Sequence, residues 1–318
     1  MWAGLATPAV ADQRFEFAPF EIPTSGRIVV PVVEGEALSG LAETIDQRSN
    51  GALTVAAREA GFTGEADSTL TLLGVTPFSR IDLVGVGEES ISRVAAEDFG
   101  GTAAALLGET EGGSVHILWP EENVDTEATA ARVAFGYRLR SYRFDIHQAE
   151  QVDTEKLPTV VLLSDDGSKD QFENDLLYLA DGVFFSRNMS SEPANLIYPQ
   201  SFVERAREQF RGLENVRIKV LDENDIQGLN MGALWGVGKG SSRPPRLLII
   251  EYMAGGDQAP VVLAGKGITF DTGGISLKSG ENMWMMKGDL GGAAVVTGTV
   301  LAAARRGAPI NVVAVAAL

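Results

Sequence analysis

The chain has 318 residues, 45% of them apolar, which is enough for ordinary hydrophobic cores in about two domains. It has no cysteine and a formal charge of −17. Disulfides, thiolate nucleophiles and Cys-ligated zinc are therefore excluded, and no nucleic-acid partner is expected, because phosphate binding rests on clustered Lys and Arg.

The opening residues 1–11 are mildly apolar but lack a basic segment, so they read as a disordered or trimmed start rather than a signal peptide. Strand-like and helix-like runs then alternate. Residues 27–33 read as a strand, 37–47 and 51–60 as short helices, and 70–75 and 81–86 as adjacent strands. A helix over 92–107, a strand over 114–119, a helix over 126–139 and a strand over 159–163 follow. This alternation indicates an α/β domain with a largely parallel sheet. Across 169–187, Phe172, Leu176, Leu179, Val183 and Ser186 fall near one helical face, which predicts a linking helix. Turn residues make 188–199 a loop, and Ser201 is placed to cap a helix over 202–211. A strand at 216–221 and a short helix at 222–229 lead to two buried strands, 246–252 and 260–264, joined across Gly255-Gly256-Asp257. A small-residue helix over 291–306 ends in Arg305-Arg306-Gly307, cations and glycine in the expected order. Residues 310–318 form an uninterrupted apolar strand that needs sheet neighbours on both sides. With no loop after it, this strand is expected to be left as an uncovered apolar edge in a poorly stable chain. The division expected is 1–165 for a first α/β domain, 166–188 for the linking helix and 189–318 for a second α/β domain with a mixed, largely parallel sheet. No apolar run reaches the ~18 residues of a membrane span, so no membrane partner is expected.

Only two histidines occur, His116 in a strand-like run and His147 among polar residues, and both fit structural or surface roles. Any metal site must therefore use carboxylates and something unusual. The candidates are Lys266, Asp271, Lys278 and Asp289, set in a short glycine-rich segment between apolar runs. Gly265 and Gly267 permit a bend that brings Lys266 and Asp271 together, and Gly273-Gly274 turns the chain so that Lys278 returns to the same mouth. Asp289 stands where a helix dipole stabilises a carboxylate. Beside a divalent cation a buried Lys266 can lose its proton and act as an amine ligand, whereas Lys278 stays charged and donates to a developing oxyanion. Two metals sharing a carboxylate would activate a water. Taken singly, each of these residues also fits a plain role, a lysine snorkelling to solvent or an aspartate capping a helix; their joint placement is the argument. Gly236-Val-Gly-Lys-Gly-Ser241 is not a phosphate loop, because no Ser or Thr directly follows the Gly-Lys pair.

The run Leu263-Ala-Gly-Lys-Gly-Ile-Thr-Phe-Asp-Thr-Gly-Gly-Ile-Ser-Leu-Lys278, with Met286-Lys-Gly-Asp-Leu-Gly-Gly-Ala-Ala294, resembles the metal-binding signature of the leucine aminopeptidase (cytosol aminopeptidase) family. Residues 230–241 and 244–252 share the likeness. The resemblance implies an N-terminal α/β domain related to macro domains, followed by a catalytic α/β domain. It also implies cytoplasmic homo-hexamers that release N-terminal residues, leucine-type, from peptide substrates with two divalent ions, Mn²⁺ or Zn²⁺. By motif position Lys266, Asp271 and Asp289 would bind metal, with Asp271 bridging both ions. Lys278 would polarise the scissile carbonyl, and Met286 would line the pocket for the first side chain. Two features depart from the family. Trp284 stands where a small acidic or polar residue is common, and the Asn-Thr-Asp-Ala-Glu-Gly-Arg motif is absent. That motif supplies further metal-binding carboxylates and an arginine that holds bicarbonate. The chain therefore reads as C-terminally truncated and inactive alone. The alternatives are a non-catalytic relative acting in assembly, or nucleotide or ADP-ribose binding by the first domain.

Overall fold

Six strands form the first sheet of the computed structural model, which describes residues 13–35, 37–87, 92–108, 110–120, 129–164 and 167–318. They are β1 (Phe15–Ala18), β2 (Gly26–Val33), β3 (Thr69–Leu73), β4 (Phe78–Gly87), β5 (Ser114–Leu118) and β6 (Thr159–Leu163), in the order β1-β6-β5-β2-β4-β3. All pairings are parallel except β3 with β4, where Leu70 faces Leu83. Parallel strands are covered on both faces, which is why β2 carries consecutive fully buried Ile28, Val29 and Val30 rather than an alternating pattern. The helices of this unit are α1 (Gly40–Arg48), α2 (Ala52–Ala60), α3 (Arg93–Leu107), α4 (Ala130–Arg140) and α5 (Ser168–Gln171). Ser92 starts α3 by accepting the Ala95 N–H at 3.2 Å. α3 and α4 cross at glycines: a Cβ on Gly100 would lie 2.0 Å from the Val133 carbonyl oxygen. Of the helix expected over 126–139, residues 126–128 lie outside the described residues.

The chain divides into two units between Leu177 and Tyr178, inside a helical stretch. After α5 comes a single π-helical turn, Phe172–Leu176, then α6 (Leu177–Ser191). The expected apolar face breaks at that turn. Phe172 and Leu176 are buried, but Leu179 is exposed, Val183 and Ser186 are half-buried, and the buried positions become Ala180 and Phe184. A π turn inserts one residue, so every later side chain shifts one position along the face. α6 also runs through 188–191, which the sequence reading placed in a loop.

The second unit holds β7 (Val216–Leu221), β8 (Leu247–Met253), β9 (Val261–Lys266) and β10 (Asn311–Ala317), in the order β7-β8-β10-β9. β10 runs antiparallel to β8 and parallel to β9. The expectation of an uncovered edge at 310–318 is therefore wrong: β10 is central, and Val312, Ala314 and Ala316 pack into the core with Leu248, Ile250 and Tyr252. The expectation that 260–264 is buried also fails, because β9 borders this sheet and its Val261 and Val262 are 61% and 59% exposed. Around the sheet stand α7 (Pro199–Gln209), α8 (Glu223–Gly228), α9 (Gly232–Gly238) and α10 (Gly291–Arg305). α7 starts earlier than expected. Ser201 lies inside its first turn, and its Oγ accepts the Tyr198 N–H at 2.9 Å, so it caps backwards from within the helix. Asp222 caps α8 by accepting the Asn224 and Asp225 N–H groups. Among the described residues, no helix is long and apolar enough to cross a membrane.

Candidate metal centre

β9 delivers Lys266 at its last position, and α10 begins two residues after Asp289. The two elements meet at glycines. A Cβ on Gly265 would stand 2.3 Å from the Gly292 carbonyl oxygen, and one on Gly267 would stand 2.6 Å from that of Ala317. Neither glycine has a positive φ. Their role is close approach, not the bend that the sequence suggested. The turn comes later, where Gly273 and Gly274 have φ of 86° and 65°, a region that suits glycine. Asp271 fixes that turn by accepting the Gly273 N–H on Oδ1 at 3.0 Å, and the Lys278 N–H closes it on the Thr272 carbonyl at 2.9 Å.

The folded loop brings all four charged side chains together. Lys266 Nζ lies 3.0 Å from Asp271 Oδ2 and 3.1 Å from Asp289 Oδ2. Lys278 Nζ lies 3.4 and 3.5 Å from the same two oxygens. Met286 joins them, its Sδ 3.1 Å from Lys278 Nζ. Hydrogen bonds to Asp271 and Asp289 raise the Lys266 pKa, so the carboxylates hold it as an ammonium. The Lys266 ammonium, then the Gly273 N–H, lower Asp271 to about 2. The neutral amine expected of a ligand thus requires a competing cation beside it. The cluster is open, with the lysine side chains 53% and 37% exposed and the aspartates 28%.

Among the described residues, no group of three or more His, Asp or Glu side chains is placed to hold a metal. The donors that converge are Asp271 Oδ2 and Asp289 Oδ2, both within hydrogen-bonding reach of one Nζ. Two carboxylate oxygens already aimed at a single cation, with one amine, fit one divalent ion.

The sequence reading missed Lys287, whose Nζ donates to the Ser191 carbonyl at 2.7 Å. This bond ties the 3-10 segment Met283–Leu290, which carries Met286 and Asp289, to the C-terminal end of α6. A cation at a helix C-terminus is favourable, but nothing in the sequence says which helix Lys287 reaches. Trp284 is 65% exposed and stands out in solvent. His116 and His147 both lie in the first unit, in β5 and beside Phe144 respectively. Residues 236–241 form the end of α9 and the turn after it.

The family model described as "Cytosol aminopeptidase family, catalytic domain" matches residues 184–318, and that described as "Cytosol aminopeptidase family, N-terminal domain" matches 29–151. A probable cytosol aminopeptidase of Brucella suis is 38% identical over 316 residues, covering 95% of this chain and 62% of that protein. One of Caulobacter vibrioides is 36% identical over 315 residues, covering 96% and 63%. The chain thus spans less than two thirds of the length of the curated relatives it matches. A mutant of tomato leucine aminopeptidase superposes with a TM-score of 0.81 at 22% identity, over 96% of this chain and 62% of that one. The bottromycin maturation enzyme BotP in complex with Mn superposes at 0.73 and 23%, over 93% and 59%. At these identities the superpositions speak for the fold.

Proposed function

The chain belongs to the cytosol aminopeptidase family, and from that premise we propose that it carries the metal-binding part of an aminopeptidase releasing N-terminal residues, leucine-type, from peptides. The observation that carries this reading is the convergence of Asp271, Asp289 and Lys266 on one point, with Lys278 alongside. Asp271 and Asp289 would hold a divalent ion through oxygen and Lys266 through nitrogen, and Asp271 would be shared with a second ion. Mn²⁺ and Zn²⁺ both accept such mixed donors, and the manganese in a solved neighbour supports the first. Bound there, divalent ions supply Lewis acidity and lower the pKa of a water.

The remaining steps rest on this chain's own side chains. The Lys278 ammonium sits at the mouth of the cluster and donates to the scissile carbonyl oxygen as negative charge develops on it. Met286 places an apolar, adaptable side chain beside that ammonium, which suits a leucine-like first residue. The division expected from the sequence, 1–165, 166–188 and 189–318, remains our proposal for the domains. The relatives' description as cytosol enzymes supports a cytoplasmic location. A homo-hexamer, and bicarbonate beside the reacting water, follow from the family resemblance and are proposed for a protein of the relatives' length.

The test is hydrolysis of a leucyl chromogenic amide with Mn²⁺ or Zn²⁺, using a version extended to the length of the relatives. Metal-dependent turnover that vanishes in Asp271→Asn is expected. A folded, extended protein without metal-dependent hydrolysis refutes the reading. The 318-residue chain alone is expected to be inactive, because Asp271 cannot by itself hold a second ion firmly. Peptidase activity from that chain, free of any complementing piece, contradicts this point.

A further inference from the structure

The first unit contains a cavity of about 470 Å³ that plays no part in the chemistry above. Its walls come from Gln13 just before β1, from Leu157 and Pro158 just before β6, and from the C-terminal ends of α3 and α4. It therefore lies at the amino-terminal edge of the parallel strands. Ligands of open α/β sheets usually bind beyond the carboxyl ends, so a nucleotide site of the macro-domain type would lie elsewhere. The volume suits a small organic molecule.

Three features define what it can hold. Tyr137 lines the cavity and is only 3% exposed, its ring edge-on to Phe15 at 5.7 Å. Its hydroxyl makes no hydrogen bond with any described residue and is left available as a donor. Burial pushes its pKa up to about 12, so at neutral pH it remains a donor. Arg140 and Arg143 form part of the same wall. Arg143 gives one N–H to the Gly108 carbonyl at 3.2 Å, and Arg140 makes no hydrogen bond or ion pair with any described residue. Finally, among the described residues no Asp or Glu lines the cavity, in a chain whose formal charge is −17. The C-terminal carbonyls of α3 oppose an anion, but Arg80 and Arg143 already occupy those of Leu106 and Gly108.

We infer that this cavity binds a small organic anion, a carboxylate or a phosphate monoester on an apolar body. The Tyr137 hydroxyl and the two guanidinium groups hold the anionic end, and Leu107 and Leu157 flank the apolar body. Guanidinium groups match the planar or trigonal oxygens of such anions, and the phenol supplies a third donor.

Isothermal titration of the 318-residue chain with phenylacetate, phenyl phosphate and neutral phenylacetamide tests this. Saturable binding of at least one anion is expected, with none of the amide. The tighter anion identifies the carboxylate or the phosphate as the group recognised. Arg140→Gln should weaken binding by about tenfold, the effect of one charge-assisted hydrogen bond. Arg140 is exposed, so this variant should fold like the wild type by circular dichroism and keep the test decisive. Three results overturn the inference: no saturable binding of either anion, amide binding as tight as anion binding, or unchanged affinity in both Arg140→Gln and Arg143→Gln.

Discussion

Each unit contains a cluster of Asp with basic residues, and the two differ in access. In the first, Asp82 is 1% exposed and takes Arg80 through Nε at 2.7 Å and Nη2 at 3.0 Å, with Thr71 completing its shell. Every acceptor is used, and the carboxylate is closed to solvent. In the second, Asp271 and Asp289 each face both Lys266 and Lys278 in a partly open loop. The residue types are alike, yet only the open cluster presents converging oxygens whose cation can be exchanged. A closed ion pair holds strands together, whereas an open pair of carboxylates can trade an ammonium for a metal.

The comparison can be broken by substitution. Asp82→Ala should cost about 3 kcal/mol in urea unfolding, because it strands a largely buried guanidinium. A loss well under 1 kcal/mol would remove the structural role assigned to that pair. Gly265→Ala should cost about 1–3 kcal/mol, since its Cβ meets backbone at 2.3 Å and β9 must move away from α10. The same variant should bind divalent metal more weakly, because that contact aligns Lys266 with Asp289. Asp271→Asn should change stability by less than about 1 kcal/mol: its ion pairs are partly exposed, and the amide oxygen can still accept the Gly273 N–H.

The smallest effect at neutral pH concerns Tyr137. Burial raises its pKa from 10.0 to about 12, so its contribution is complete below pH 10 and is lost as pH rises through 12. Tyr137→Phe should therefore match the wild type at neutral pH and lose less stability between pH 10 and 12. Identical alkaline unfolding curves for the two proteins would contradict this.

Much of this architecture was legible in the chain. Apolar runs such as Ile28-Val29-Val30 mark strands because both faces of a parallel sheet are covered, and the helices expected over 92–107 and 222–229 form there, with Ser92 and Asp222 as their caps. The four charged site residues stood out because few cores need them in a glycine-rich segment between strands. Sheet order was not legible: Val261-Val262 reads as buried, yet β10 takes the central place and leaves β9 at the border. The π turn after Gln171 has no side-chain signature, so the helical face was read one residue out of phase beyond it. Gly265 looked like a bend because a close approach between β9 and α10 is a tertiary fact. The Tyr137 cavity draws its walls from five separated segments and could not be read locally.

The central claim is that Lys266, Asp271 and Asp289 form a divalent-metal site. Isothermal titration of Mn²⁺ and Zn²⁺ into the wild type, Asp271→Asn and Asp289→Asn tests it most directly, with circular dichroism confirming that each variant is folded. We predict one strongly held ion per chain, weakened by about tenfold or more in each variant, as removal of an oxygen donor from a three-donor site demands. Absence of metal binding to the folded wild type, or full affinity in both variants, would contradict the account.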